Sequence, residues 1–165
     1  MAKGKNNDLL PALAGIFCFF IVFLKCLAML GGSSWKLSML LLPALWLLLG
    51  LCLMVKGKKW LALAGMLPLT ILMVQSVLGP LSMGSVQMFL IQLVCSILPA
   101  VSFAVLFLLL FLACVNTGHS IRRETWLLPI LLTLPGCIWQ HGSSLAWAQL
   151  GVVTCMTLWV KPAGK

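Results

Sequence analysis

Residues 86–115 read VQMFLIQLVCSILPAVSFAVLFLLLFLACV, without one charged side chain from end to end. Wound as a helix, that run measures about 45 Å at 1.5 Å per residue, longer than the roughly 30 Å of bilayer hydrocarbon. It is continuously apolar, which suits a helix and not a barrel strand, whose faces alternate over about 10 residues. Outward from it, further spans are predicted over Leu9–Leu30, Leu37–Val55 and Trp60–Leu78 on one side, and over Thr125–His141 and Ser143–Val160 on the other. The expected fold is all-α, a polytopic transmembrane helical bundle of six helices, the fourth being Val86–Val115. A fourth helix of that length must tilt, kink or protrude.

Composition narrows the class. Of 165 residues, 62% are hydrophobic and 8% charged, against about 25% charged in an average soluble domain. Disordered chains, disulfide scaffolds and collagen-like fibres are excluded, since each needs a polar, Cys-dense or Gly-periodic sequence. The formal net charge of +9 sits in short clusters between apolar runs, a pattern of membrane orientation and not of nucleic-acid binding. Because the spans use nearly every residue, 1–165 is expected to be a single integral membrane domain. Residues 1–8 would form a short basic cytoplasmic N-terminus and 161–165 a short cytoplasmic C-terminus, with no room for a separate catalytic module.

Charge sets the orientation. With the N-terminus inside, Lys3, Lys5, Lys56, Lys58, Lys59, Arg122, Arg123, Lys161 and Lys165 all fall on the cytoplasmic side, and only Lys25 and Lys36 fall toward the outside. Short loops follow their Lys and Arg during insertion, so both ends are expected in the cytoplasm and the protein in the cytoplasmic membrane. Tryptophan prefers the headgroup layer: Trp60, Trp126 and Trp159 fall at inner ends and Trp35, Trp139 and Trp147 at or near outer ends. Trp46 alone sits inside a span, in contact with lipid or another helix. Charge counting does not separate a crossing pair from a re-entrant hairpin over 125–160. Trp126 and Trp139 would lie about 20 Å apart on a helix, which favours two crossings in a locally thinned bilayer. The apolar run after Lys3 and Lys5 is too long for a usual cleavable signal and reads as an uncleaved anchor, and no lipidation motif is recognisable.

Each of the first five spans holds a Leu-Pro step, at Pro11, Pro43, Pro68, Pro99, and Pro129 with Pro135. An interior proline removes one donor, so Pro68 should free the carbonyl of Ala64 and Pro99 that of Cys95. Such breaks line cavities in transporters, although proline is also common in ordinary membrane-helix kinks. Small residues form ridges at Ser96, Ala100 and Ala104, and at Ser144, Ala148, Gly151 and Cys155. Ridges of this kind let helix backbones approach closely, here within one molecule.

The residue inventory argues against catalysis, and no enzyme activity is expected. Asp8 and Glu124 both fall at the inner interface beside basic residues, so no carboxylate stands at depth for acid–base work, proton relay or metal binding. The seven cysteines lie singly in apolar runs without a Cys-x-x-Cys and read as small packing residues. His119 and His141 fall on opposite faces. The sequence His141-Gly142-Ser143-Ser144 reads as a tight turn and not as a base with its nucleophile. No metal or other cofactor is expected.

Uncharged polar side chains carry what functional signal there is. Lys25, Gln75, Gln87, Gln92 and Gln149 map to the outer half or rim, with Gln140 and His141 nearby, and form a candidate polar pocket open to the outside. The competing reading is hydrated interfacial amides and a lysine that snorkels outward on its stem. The expected function is a substrate-binding or permease-type transport component, with a small-molecule ligand left unidentified. The alternative is a non-catalytic accessory or structural subunit of a larger complex, with the lipid bilayer and other membrane subunits as its partners. In scale and topology the arrangement is similar to the substrate-binding subunits of energy-coupling-factor transporters, with no shared motif. That resemblance implies an energising partner, because the chain holds no Walker-type loop.

Overall fold

The computed structural model describes residues 9–32, 36–55, 58–78, 85–115, 121–140 and 143–161, and every element among them is helical. In chain order they are α1 (Leu9–Leu30), α2 (Leu37–Met54), α3 (Lys59–Leu78), α4 (Val86–Gln92), a π-helical turn (Leu93–Ile97), α5 (Leu98–Cys114), a 3-10 turn (Arg123–Leu127), α6 (Leu128–Trp139) and α7 (Ser144–Val160). The helix ends lie close to the predicted spans except in two places. The fourth span carries the π turn in its middle. The fifth begins as a 3-10 turn because Pro129, in the first turn of α6, has no N–H with which to continue the α register backwards.

Three helices are long and apolar enough to cross a membrane: Leu9–Leu30 with 22 residues, Lys59–Val77 with 19 and Val86–Cys114 with 29. The apolar helices over Ser38–Met54, Glu124–Trp139 and Ser144–Val160 are shorter. Only 22% to 33% of each long apolar window is buried inside the molecule. Phe23 (57%), Leu51 (52%), Leu108 (54%) and Leu131 (58%) all keep more than half their surface outside. A soluble monomer rarely carries an apolar surface so extensive, and the feature supports a membrane protein.

The helices close into a ring. α1 packs on α2, α2 on α3, α3 on α5, α5 on α6, α6 on α7, and α7 back on α1, so sequence neighbours are spatial neighbours. The interior is filled by Trp46 of α2, Phe103, Leu106 and Leu110 of α5, and Val152, Val153 and Met156 of α7, with Ile21 of α1 and Met66 and Leu69 of α3. Trp46 and Phe103 meet edge to face, with centroids 5.5 Å apart and planes at 87°. Helix packing, not lipid, therefore accounts for the tryptophan inside a span.

Trp126 is only 1% exposed. It sits in the 3-10 turn that leads into α6, and there joins the same core as Phe103, Leu110 and Val160. At this end of α6 the large ring is covered by protein. Its neighbours in the headgroup argument, Trp60, Trp139 and Trp147, are exposed, and Trp35 lies outside the described residues.

Glycines set the closest approaches. A Cβ added to Gly50 of α2 would lie 3.1 Å from the Cys18 Cβ of α1, and one on Gly15 of α1 would lie 3.3 Å from the Gly50 carbonyl oxygen. On α7 a Cβ on Gly151 would meet three ring carbons of Phe17 at 3.0 Å. The α7 ridge of small residues is thus used within the molecule. Ala100 and Ala104 of the other ridge instead line an open apolar groove of about 290 Å³ between α3 and α5, together with Val74 and Val77.

Candidate functional site

The site begins with an irregularity in the fourth span. In the π turn Leu93–Ile97, the Leu98 N–H donates to the Leu93 carbonyl five residues back. The next residue, Pro99, has no N–H to give to Cys95 four back or to Val94 five back. An α-helix interrupted in this way leaves carbonyl oxygen in an apolar interior, where each polar group needs a partner or water. The break faces α6. A Cβ on Gly136 would lie 3.2 Å from the Val94 carbonyl oxygen and 3.7 Å from Pro99 Cγ. A Cβ there would be a tight contact that a shift of a few tenths of an ångström relieves, so the glycine eases the approach of α6 to the broken turn.

A small cleft of about 20 Å³ opens at this crossing. Cys95 and Pro99 line one wall, Thr133, Gly136, Cys137 and Gln140 a second, and Ala146 and Gln149 the third. The Cys137 thiol donates to the Ala146 carbonyl at 3.2 Å and ties the end of α6 to the start of α7. The polar groups are two carboxamides, one hydroxyl and two thiols, which together donate and accept hydrogen bonds but carry no charge. Its volume admits one water molecule, for which about 10–15 Å³ suffices. Such a lining suits water or a small neutral polar solute, and among the described residues it holds no carboxylate or imidazole.

Beneath the cleft lies a hydroxyl pair that sequence reasoning missed. Thr133 Oγ1 donates to the Pro129 carbonyl at 2.8 Å, and Ser102 Oγ of α5 reaches the same carbonyl at 2.7 Å and Thr133 Oγ1 at 2.7 Å. Both side chains are buried, Ser102 at 0% and Thr133 at 4% exposure. This is the side-chain hydrogen bonding that joins α5 to α6. Hydroxyls that bond to a local carbonyl are common in apolar helices, so neither residue stands out until the helices are placed side by side.

Of the predicted pocket residues, the structure brings Gln149 to the cleft, beside Gln140. Gln92 is half-buried, one turn before Cys95, and is not part of the lining. Gln75 near the end of α3 and Gln87 in the first turn of α4 are exposed. Lys25 is half-buried on α1 and lines none of these cavities. His141, Asn116, Thr117, His119 and Asp8 lie outside the described residues. Of the five predicted residues, only Gln149 lines the cleft, where it lies with Gln140.

The cysteines among the described residues are free, and no three His, Cys, Asp or Glu side chains among those residues come together to hold a metal ion. Glu124 is exposed in the 3-10 turn, remote from the cleft. No protein family, curated protein or solved structure matches this chain.

Proposed function

We propose that the chain is a six-span integral membrane protein of the cytoplasmic membrane with both ends inside, and that it is a substrate-binding or permease-type component for a small neutral polar solute. The observation that carries the function is the meeting of the π turn and Pro99 with Gln140, Gln149 and Thr133 at one cleft. Helices broken by proline beside convergent amides are how membrane proteins place polar groups at depth without exposing them to lipid. In this reading the three shorter helices cross as well, which is supported by their apolar sequences and by the packing of α2, α6 and α7 against the longer ones. A locally thinned bilayer accommodates their length.

Binding pockets for small molecules run to about 300–1,000 Å³, so a cleft of about 20 Å³ corresponds to a closed state. Opening requires α4 and α5 to part from α6 and α7, and the π turn, Pro99 and Pro135 are where those helices would bend. The same small volume favours a second reading, a non-catalytic accessory subunit in which the cleft holds one structural water.

Flux of urea, glycerol and formamide into proteoliposomes, followed by light scattering, separates the two. Flux that Gln140→Leu and Gln149→Leu abolish supports the solute component. No flux with the native protein, together with greater thermal stability of both variants, assigns the accessory role. Topology is tested apart from function: a membrane-impermeant amine reagent that modifies Lys58 or Lys59 in intact cells refutes the orientation.

A further inference from the structure

At the end of the bundle remote from the cleft, the start of α3 and the end of α5 leave an open groove of about 680 Å³. Lys58, Lys59, Trp60, Leu61 and Ala64 line it from the α3 side, and Ala113 and Cys114 from the end of α5. Lys58 is exposed, Lys59 half-buried and Trp60 59% exposed. The one carboxylate among the described residues, Glu124, is not in the lining. The two ammonium groups therefore share a recess without an internal counter-charge, in a protein of formal net charge +9.

We infer that this groove holds the headgroup of an anionic glycerophospholipid of the cytoplasmic leaflet. The inference rests on the six-span reading, which puts the start of α3 at that leaflet. Three features agree on the occupant. The charge calls for an anion, and juxtamembrane lysines draw anionic lipid with a gain of roughly fivefold each. Trp60 marks the headgroup layer, where an indole is half apolar and half wet. The rest of the lining, Leu61, Ala64, Ala113 and Cys114, is apolar or small and lies at the ends of apolar helices, so a chain attached to a bound headgroup can run on along their exposed apolar surface.

The test uses the full chain in nanodiscs of phosphatidylcholine containing a minor fraction of phosphatidylglycerol, with the lipid retained after detergent extraction counted by native mass spectrometry. The native protein should retain phosphatidylglycerol in excess of its share. Lys58→Gln with Lys59→Gln should lower that excess about 25-fold, the product of two fivefold factors. Lys58→Arg with Lys59→Arg should keep it. Lys161→Gln removes a basic residue outside the groove, at the end of α7, and should leave it unchanged. Equal retention by the native protein and the double Gln variant overturns the site, as does an equal loss in Lys161→Gln, which would mean general surface charge. Displacement of the lipid by inorganic phosphate alone overturns the lipid as the occupant. Failure of the membrane reading has a separate signature, a chain that stays soluble without detergent and does not float with phosphatidylcholine vesicles.

Discussion

The two sides of the ring are built differently. Where α1 meets α2, glycine faces glycine and the backbones come close, so that a methyl group on Gly15 or on Gly50 would meet its nearest neighbour at 3.1 Å. Where α4 and α5 meet α6, the helices are interrupted by a π turn, Pro99, Pro129 and Pro135, and they are joined by hydroxyls around a cleft. In lipid, where water provides no drive for helices to associate, close van der Waals contact and interhelical hydrogen bonds are the two available attractions. One side of the molecule relies on the first and the other on the second. Close contact makes a seam rigid, since a packed surface yields little. A hydrogen-bonded crossing next to a cavity leaves room to move, which is what the proposed function would use.

The contrast predicts unequal responses to substitution, the largest at the point that joins the two sides. Trp46 of α2 packs edge-on against Phe103 of α5 with no surface exposed, and its indole nitrogen has no hydrogen-bond partner among the described residues. Trp46→Ala should destabilise the protein by about 3 kcal/mol, the low end for a buried tryptophan because an unpaired N–H is relieved at the same time. Thermal unfolding in a mild detergent measures it. An effect below about 1 kcal/mol would mean that the two sides are not mechanically joined through this ring pair.

Next come matched methyl additions. Gly50→Ala adds a carbon 3.1 Å from the Cys18 Cβ, which cannot move without its backbone. Overpacking typically costs about 1–3 kcal/mol, and replacing glycine by alanine in a helix returns up to about 1. A net loss of about 1 kcal/mol is expected. Gly136→Ala meets the Val94 carbonyl at 3.2 Å beside the cleft, where a small shift of α6 is accommodated, so its net effect should be near zero. Equal losses in the two variants would erase the distinction between the seam and the cleft.

A double-mutant cycle then sharpens the other half of the comparison. Ser102→Ala and Thr133→Val each remove one member of the buried hydroxyl pair between α5 and α6. Their coupling should be about 0.6 kcal/mol and no more than about 1.7, the range for side-chain hydrogen bonds between membrane helices. Zero coupling would show that the Pro129 carbonyl satisfies each hydroxyl separately and that the pair does not hold the crossing together.

Much of this architecture was legible in the sequence, for an identifiable reason. Helix position follows from runs of apolar side chains, which is why Leu9–Leu30 came out with both ends in place and α7 with one end a residue off. What stayed hidden depends on how helices are rotated against one another. Gln149 and Gln140 share a cleft while Gln75 and Gln87 do not, because helix rotation decides which amides turn inward. Hydrophobicity is nearly uniform around α2, α5 and α7 and gives little hint of their rotation. The Ser102–Thr133 pair and the burial of Trp126 were hidden for the same reason. Pro99 announced a break but not its form, since one missing N–H is compatible with a kink, a freed carbonyl or a π turn.

The form of that break is read from geometry more than from stability. Pro99→Ala restores an N–H that can reach the Cys95 carbonyl, so a regular α register becomes available through 93–99. Losing the extra residue of the π turn rotates everything before it, including α4, by about 100° relative to α5. The recovered hydrogen bond and the disturbed fit against Gly136 oppose each other, and the net change should stay within about 1 kcal/mol. Geometry should respond far more. With Cys95 as the sole cysteine, its alkylation rate should change several-fold as the thiol turns out of the cleft wall it shares with Thr133 and Gln149. An unchanged rate would assign the π turn to packing against α6, with the close approach of Gly136 to Val94 and not the proline as its cause.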